Sequence, residues 1–173
     1  MHKKTGYWIL LLLCSVACAF GQEKTTPSNS FTVSGKVKTV VQFSLNQAAD
    51  YSSVSVDSLV IYNHLLQKKR VIKNIKGILL RDIISKAAID INSPKLLSEI
   101  FITCIASDNY KVVFSWNELF NTAIGQHVLI LTSLDGKPAA EGNDRIAVLS
   151  TMDEATGRRF VKGLEKVIIE QVK

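Results

Sequence analysis

The sequence predicts one α+β domain built mostly from strands. Its 173 residues are 47% hydrophobic and 21% charged, which is typical of a globular domain with a buried core. Apolar and polar residues alternate with the two-residue period of strands in several segments, whereas helix-type spacing occurs only in short ones. The sequence contains no internal repeat of roughly 20 to 50 residues and no low-complexity tract. We therefore expect strands to outnumber short helices.

Residues 1–21 are typical of a bacterial signal peptide. Two lysines precede an apolar run that ends at Phe20 and is shorter than the roughly 20 apolar residues of a membrane span. Small residues at positions 19 and 21 favour cleavage before Gln22, with lipidation at Cys18 and an uncleaved anchor as the alternatives. We expect an exported protein, periplasmic or secreted, without a stable membrane span after cleavage.

Removal of this leader would leave a mildly basic chain with one cysteine. The formal charge would fall from +6 to +4, because the leader holds two lysines and no acidic residue. Cys104 would be the only remaining thiol, so no intramolecular disulfide could form and stability would depend on the core. Residues 22–30 are polar and rich in turn formers, which predicts a linker, and we expect the domain to span residues 31–173.

The first half of this domain is predicted to hold strands and one clear helix. Alternating apolar residues indicate strands that begin near Phe31 and Val54, and Ser44 is a candidate cap for a short helix. The run from Gln67 to Lys76 carries five basic residues. It lacks the interleaved aromatic residues of a nucleic-acid site, so we interpret it as a solvated strand face. Apolar spacings of three and four then predict a helix over residues 79–88.

The second half is predicted to hold a hairpin, a capped helix and further strands. Residues 100–106 are apolar at nearly every position, which indicates a strand covered on both faces, and Asp108-Asn109 suits the turn to its return strand. Ser115 and Glu118 have the spacing of a capping box. Three more strands are expected, at residues 128–131, 146–149 and 165–172, with an Asp135-Gly136 turn after the first.

The sequence carries no usual catalytic signature. A nucleophile elbow, a Gly-rich phosphate loop and a His-Glu-x-x-His motif are all absent from it. His64 and His127 are isolated, so we predict neither a catalytic residue nor a metal site. Cys104 lies in an apolar segment with no cation beside it in sequence, so we expect a buried structural thiol that reacts slowly.

Five short motifs follow one another along the chain. They occupy residues 33–37 with 43–45, residues 77–84, residues 108–110, residues 134–138 and residues 157–164. Their order resembles the oxidoreductase molybdopterin-binding domain family, which has the sulfite-oxidase-like fold. The resemblance runs from Val33 to Leu164 and implies an α+β, mostly β fold with molybdopterin as the candidate cofactor.

The chain departs from this family at three positions. The family's metal-binding cysteine lies in a strand-to-loop segment, whereas Cys104 lies within an expected strand. Gly163 replaces the aromatic residue that commonly follows the family's Val-Lys pair, and Asn109 replaces the Gly of its Asp-Gly-Tyr turn. These departures put the binding of molybdenum in doubt more than they do the fold.

The resemblance also implies a binding site. Residues 157–164 match the family's Gly-x-Arg-x-Val-Lys-x-Leu segment, which lies near the pterin phosphate in cofactor-binding relatives. Arg158, Arg159 and Lys162 are therefore the candidate cofactor-binding residues, for an anionic small molecule or a pterin. The alternative is a solvated basic face. Because exposed charges contribute little to folding, we expect Gln at positions 159 and 162 to change the ligand-free stability little.

Two functions are compatible with these observations. The first is an exported binding or accessory protein, with a small molecule or a protein as partner, that kept the fold and lost the metal-ligand cysteine. The alternative is a small molybdopterin-dependent oxidoreductase that holds its metal through Cys104 in an unusual place or without a cysteine.

Overall fold

A computed structural model describes residues 24–172, which form two sheets with short helices packed against them. The predicted leader therefore lies outside the described residues. The strands are β1 (Ser30–Gly35), β2 (Val41–Ser44), β3 (Ser53–Tyr62), β4 (Lys68–Leu79), β5 (Ile100–Ala106), β6 (Lys111–Ser115), β7 (Val128–Leu134), β8 (Lys137–Pro138), β9 (Val148–Ser150) and β10 (Leu164–Gln171). The α-helices are α1 (Leu80–Ala87) and α2 (Trp116–Phe120), and 3-10 helices occupy Leu45–Asp50, Pro94–Glu99, Ala123–Gln126, Ala139–Glu141 and Thr156–Arg159.

The first sheet has the strand order β2-β1-β10-β5-β6. Strands β1 and β10 are parallel, and the other neighbours are antiparallel. Strand β5 lies between β10 and β6, and five of its seven side chains are buried. The expected strand covered on both faces is therefore confirmed. Asn109 adopts a positive φ of 61°, as the predicted turn requires.

The second sheet has the order β3-β4-β7-β8, and β9 also pairs with β7. Strands β3 and β4 form a long antiparallel hairpin. Its β4 strand buries Ile72 and Ile75 and exposes its lysines, so the predicted basic strand face is exposed to solvent. Asp135 and Gly136 both have positive φ, which closes the turn between β7 and β8.

One core joins the two sheets, and a second core covers the opposite face of the second sheet. Ile78 and Ile130 belong to the shared core, whereas their neighbours Leu79 and Leu129 belong to the second one. This alternation explains why β7 begins with a continuous apolar run, since both of its faces are buried. The predicted helix over residues 79–88 is confirmed as α1, which buries Ile83 and Ile84 in the shared core.

The segment before β1 lies against the body of the domain. The Ser28 amide donates to the carbonyl of Arg145 at 2.6 Å, and the Ser28 hydroxyl accepts from the amide of Ile146 at 2.9 Å. The Thr26 amide donates to the hydroxyl of Ser107 at 2.8 Å. These contacts hold residues 25–28 in place, although the division into leader, linker and domain stays a prediction.

Gly163 is the residue that this N-terminal segment requires. Its φ is +63°, and a Cβ placed there would lie 2.3 Å from the carbonyl oxygen of Thr26 and 2.7 Å from the hydroxyl of Ser107. An aromatic side chain at this position would displace the segment. At Gly163, where the resembled family commonly has an aromatic residue, this chain has no room for a side chain.

The described residues include no helix with the length and apolar character needed to cross a membrane.

Candidate functional site

The three predicted site residues, Arg158, Arg159 and Lys162, lie in three different surroundings. Arg158 and Arg159 lie in the 3-10 helix Thr156–Arg159, which we call the basic turn, and Lys162 lies three residues beyond its end. The structure pairs two of them with carboxylates and leaves the third on the wall of an open cleft. Their role as ligands of a cofactor stays a prediction. Their surroundings differ enough to rank them as candidates for binding an anion.

Arg159 is held by two carboxylates. Its Nε and Nη2 donate to the two oxygens of Asp153 at 2.7 and 2.5 Å, and its Nη1 donates to Oε1 of Glu118 at 2.9 Å. The guanidinium carbon lies 4.6 Å from the centroid of the Phe114 ring. The hydrogen bonds that Arg159 donates to Asp153 are the main reason why the pKa of Arg159 is raised above its ordinary value. We call Arg159, Asp153 and Glu118 the Arg159 network.

Glu118 connects this network to the start of α2. Its Oε2 accepts from the amide of Ser115 at 2.9 Å, while its own amide donates to the Ser115 hydroxyl at 3.1 Å. The predicted capping box is therefore confirmed, and the same carboxylate also binds Arg159. Asp153 accepts in addition from the buried hydroxyl of Ser150 at 2.7 Å. The network thus joins β9, the basic turn and α2.

Lys162 has a carboxylate partner as well. Its Nζ lies 2.8 Å from Oδ2 of Asp144, and both side chains are more than one third exposed. The Nζ also lies 5.3 Å from the centroid of the Phe160 ring. An exposed pair of this kind contributes little to stability, but the carboxylate lowers the attraction of Lys162 for an anion.

Arg158 lines an open cleft between the β3–β4 hairpin and the basic turn. The cleft has a volume of about 450 Å³. Its lining residues are Ile61, Tyr62, Asn63, His64, Lys69, Tyr110, Gly157 and Arg158. Two of the lining residues, Lys69 and Arg158, are basic, and none is acidic. We call this feature the basic cleft.

The basic turn is fixed to the hairpin by backbone contacts. The Thr156 hydroxyl donates to the carbonyl of Val60 at 2.8 Å and accepts from the amide of Tyr62 at 2.9 Å. A Cβ on Gly157 would lie 2.7 Å from the Tyr62 carbonyl oxygen, so glycine allows the two elements to approach this closely. The Tyr110 hydroxyl donates to the carbonyl of Arg158. The backbone of the basic turn, held to the hairpin by these hydrogen bonds, therefore forms one wall of the cleft.

A second cavity has balanced charge. Its volume is about 500 Å³, and apolar residues of β7 form part of its wall. Lys137 and Arg145 line it together with Glu141 and Asp144, so it offers two charges of each sign. This balance favours the basic cleft over the second cavity as the site for an anion.

Cys104 lies in the centre of the shared core. Its side chain is 0% exposed, and its backbone is paired with Val167 of β10 on one side and Val112 of β6 on the other. Burial raises the pKa of the thiol to about 12. The thiol is thus neutral and out of reach of a metal ion.

The described part of the chain also shows no cluster of three or more His, Cys, Asp or Glu side chains that could hold a metal ion. His127 lies apart from the basic cleft, with its Nδ1 3.4 Å from the hydroxyl of Thr151.

Three polar residues that line the basic cleft were not predicted from the sequence as site residues. They are His64, Lys69 and Tyr110. Lys69 belongs to the basic run of β4, but its proximity to Arg158 depends on the tertiary fold.

One mixed sheet, one antiparallel sheet and the short helices define an α+β, mostly β fold, as the sequence predicts. The chain is similar in structure to the sulfane dehydrogenase SoxCD of Paracoccus pantotrophus, with a TM-score of 0.55 and 10% sequence identity. The similarity covers 83% of this chain and 39% of that chain, so this chain spans well under half of its length. At this identity the similarity shows the sulfite-oxidase-like fold alone. No protein family model matches the chain, and no curated protein matches its sequence.

Proposed function

We propose that this protein is an exported binding or accessory module that uses a sulfite-oxidase-like fold to hold an anionic small molecule in the basic cleft. The observation that carries the proposal is the lining of the cleft, where Lys69, Arg158 and His64 meet without any acidic side chain. Cationic side chains that converge on one cleft favour phosphate or carboxylate groups. The volume of about 450 Å³ is suited to a small ligand.

Arg158 is the predicted site residue that we retain as a ligand-binding group. In the described residues it has no carboxylate within ion-pair distance, whereas Arg159 and Lys162 each have one. An incoming anion would have to compete with Asp153 and Glu118 for the guanidinium of Arg159. Arg159 therefore serves the proposed site by holding the basic turn, and Arg158 serves it by direct contact.

The donor atoms of the chain do not fit a molybdenum ion bound in the family's manner. A thiolate ligand has to be ionised and accessible, but the Cys104 thiol has a pKa of about 12 and lies between two paired strands. A pterin without such a metal bond would still carry the phosphate that the basic cleft can attract. This disagreement supports a binding module over the small molybdopterin-dependent oxidoreductase.

Thermal unfolding with added anions tests the cleft. At low salt, phosphate, pyrophosphate or molybdopterin should raise the unfolding temperature of the wild type, because a ligand that binds only the folded state stabilises it. Arg158→Gln and Lys69→Gln should each reduce the shift. Arg70→Gln is the matched control, since Arg70 lies next to Lys69 in β4 and carries the same charge without lining the cleft. Equal shifts in all four proteins would contradict the proposed site.

Metal analysis separates the two functions. Protein purified from a molybdenum-replete host should hold no stoichiometric molybdenum if it is a binding module. One molybdenum per chain that is lost in Cys104→Ala would establish the oxidoreductase alternative with a cysteine ligand. Molybdenum that survives this substitution would establish the same alternative with a different ligand.

A further inference from the structure

The turn between β3 and β4 presents two leucines to solvent. Leu65 and Leu66 are 62% and 58% exposed and lie side by side at the end of the hairpin. We call residues 63–67 the hairpin tip. Single exposed leucines are common on protein surfaces, but an adjacent pair at the end of a hairpin is a feature that needs a reason.

Hydrogen bonds within the tip, and not apolar packing, hold the leucines in this position. The Asn63 side-chain oxygen accepts from the amides of Leu65 and Gln67 at 3.0 and 2.9 Å. The Asn63 amide donates to the Gln67 carbonyl at 3.1 Å, and the two side chains share a further bond of 3.0 Å. The tip is therefore an ordered turn that fixes the backbone beneath two exposed apolar side chains.

Leu66 adopts a backbone conformation that leucine disfavours. Its φ is +56°, in the left-handed region where a Cβ approaches the following carbonyl oxygen. Gly or Asn fills such a position with less strain, and neither would expose an apolar side chain. A strained, exposed leucine indicates that its side chain is used for an interaction outside the folded chain.

The hairpin that carries this tip is strongly basic. The sequence has no Asp or Glu between Asp57 and Asp82, a stretch that covers the second half of β3 and all of β4. Lys68, Lys69 and Arg70 follow the tip directly, and all three are exposed. Three basic residues at the start of β4 therefore lie next to the apolar tip, and no acidic residue of the hairpin lies near them to offset their charge.

We propose that the hairpin tip docks on an anionic lipid bilayer. Leu65 and Leu66 enter the boundary between headgroups and acyl chains, while Lys68, Lys69 and Arg70 stay at the level of the lipid phosphates. Two adjacent aliphatic side chains on a short turn suit insertion into a deformable interface better than docking on a rigid protein surface. Basic residues next to the apolar ones are complementary to a negatively charged leaflet. This inference goes beyond the proposed function and does not require a ligand in the basic cleft.

Vesicle binding tests the proposal with protein purified after export, whose intact mass confirms that no acyl chain is attached. Vesicles that contain phosphatidylglycerol should bind the protein much more tightly than vesicles of phosphatidylcholine alone, and added salt should weaken this binding. Each Gln substitution at Lys68 or Arg70 should weaken binding about fivefold. The double variant Leu65→Ser/Leu66→Asn should weaken it more than about tenfold.

Two controls keep the result interpretable. Asn at position 66 suits the left-handed conformation, so the double variant should unfold at or above the wild-type temperature and a loss of binding cannot reflect unfolding. Val40→Ser removes an equally exposed apolar side chain beside the first sheet and should leave binding unchanged. Equal binding to both kinds of vesicle, no binding to either, or binding that survives loss of both leucines would each overturn the proposal. If the vesicle test fails, anions should still raise the unfolding temperature, because that effect depends on Arg158 in the basic cleft.

Discussion

Replacement of Arg159 with Gln should destabilise the ligand-free fold, since the guanidinium joins three separate elements. Its hydrogen bonds reach Asp153 after β9 and Glu118 in α2, and its face packs on Phe114 of β6. Gln removes the charge and the planar fork but keeps part of the side-chain volume. The two carboxylates would then be left without their cation in a partly buried place.

The magnitude of this effect follows from the exposure of the groups. Exposed ion pairs contribute about 0–1 kcal/mol, whereas loss of one partner from a fully buried pair costs about 3–5 kcal/mol. The side chains of Arg159 and Asp153 are 21% and 13% exposed, so the Arg159 network lies between these limits. We expect Arg159→Gln to lower the free energy of unfolding by about 2–3 kcal/mol, and the midpoint of thermal unfolding by roughly 5–10 °C.

Lys162→Gln is the matched control for this measurement. Its pair with Asp144 is more exposed on both sides, at 39% and 38%, so its loss should cost less than about 1 kcal/mol. Denaturant titration of both variants gives the two free energies of unfolding on one scale. A double-mutant cycle with Asp153→Asn should then show a coupling energy of at least about 1 kcal/mol between Arg159 and Asp153.

Equal stabilities of the two single variants would refute this reasoning. That result would mean that Arg159 behaves as an ordinary surface cation, as the sequence analysis assumed when it predicted little effect from Gln at positions 159 and 162. A large loss in Arg159→Gln alone would correct that assumption for Arg159 and keep it for Lys162.

Three further predictions concern other parts of the chain. Cys104 should resist thiol reagents in the native state, and Cys104→Ala should cost about 1 kcal/mol. Folding raises the pKa of this thiol from 9.0 to about 12, so the folded state favours the neutral form and stability should fall as pH rises from 9.0 towards 12, less steeply in Cys104→Ala. Intact mass of exported protein should show an N-terminus at Gln22, and a diacylglycerol on Cys18 would contradict this. Leu66→Asn alone should raise the free energy of unfolding by about 1 kcal/mol in denaturant titration, whereas a loss would show that the left-handed turn is not strained.

Local signals in the sequence were sufficient to predict most of the strands and both α-helices. The two-residue alternation predicted the strands, and the residues at the turns, such as Asn109 and Asp135, have the positive φ that their positions require. The capping box at Ser115 depends on residues only three positions apart, so its spacing could be recognised directly. Each of these features is determined within a few residues of chain.

The surroundings of the basic residues could not be predicted in the same way. Glu118 lies 41 positions from Arg159, and only the packing of α2 against the basic turn brings them together. Lys69 and Arg158 meet in one cleft because Thr156 bonds to Val60, which is 96 positions away. The sequence of residues 157–164 is equally compatible with a solvated face, an ion-pair network and an anion site. The tertiary contacts place Arg159 in an ion-pair network, pair Lys162 with Asp144 and leave Arg158 on the wall of the basic cleft.

The consecutive residues Arg158 and Arg159 differ in role because they belong to a tight 3-10 turn. Successive side chains on such a turn diverge by about 120°, so one can pack inward while its neighbour faces solvent. Loss of the Arg159 network should therefore loosen the turn that carries Arg158. Arg159→Gln should then weaken phosphate binding, although Arg159 itself does not contact the anion. Arg159→Lys keeps the charge but cannot form the fork to Asp153, so it should weaken binding as well. If Arg159→Lys binds phosphate like the wild type while Arg159→Gln does not, the charge of Arg159 acts on the anion directly, and the original assignment of Arg159 as a binding residue would be the better one.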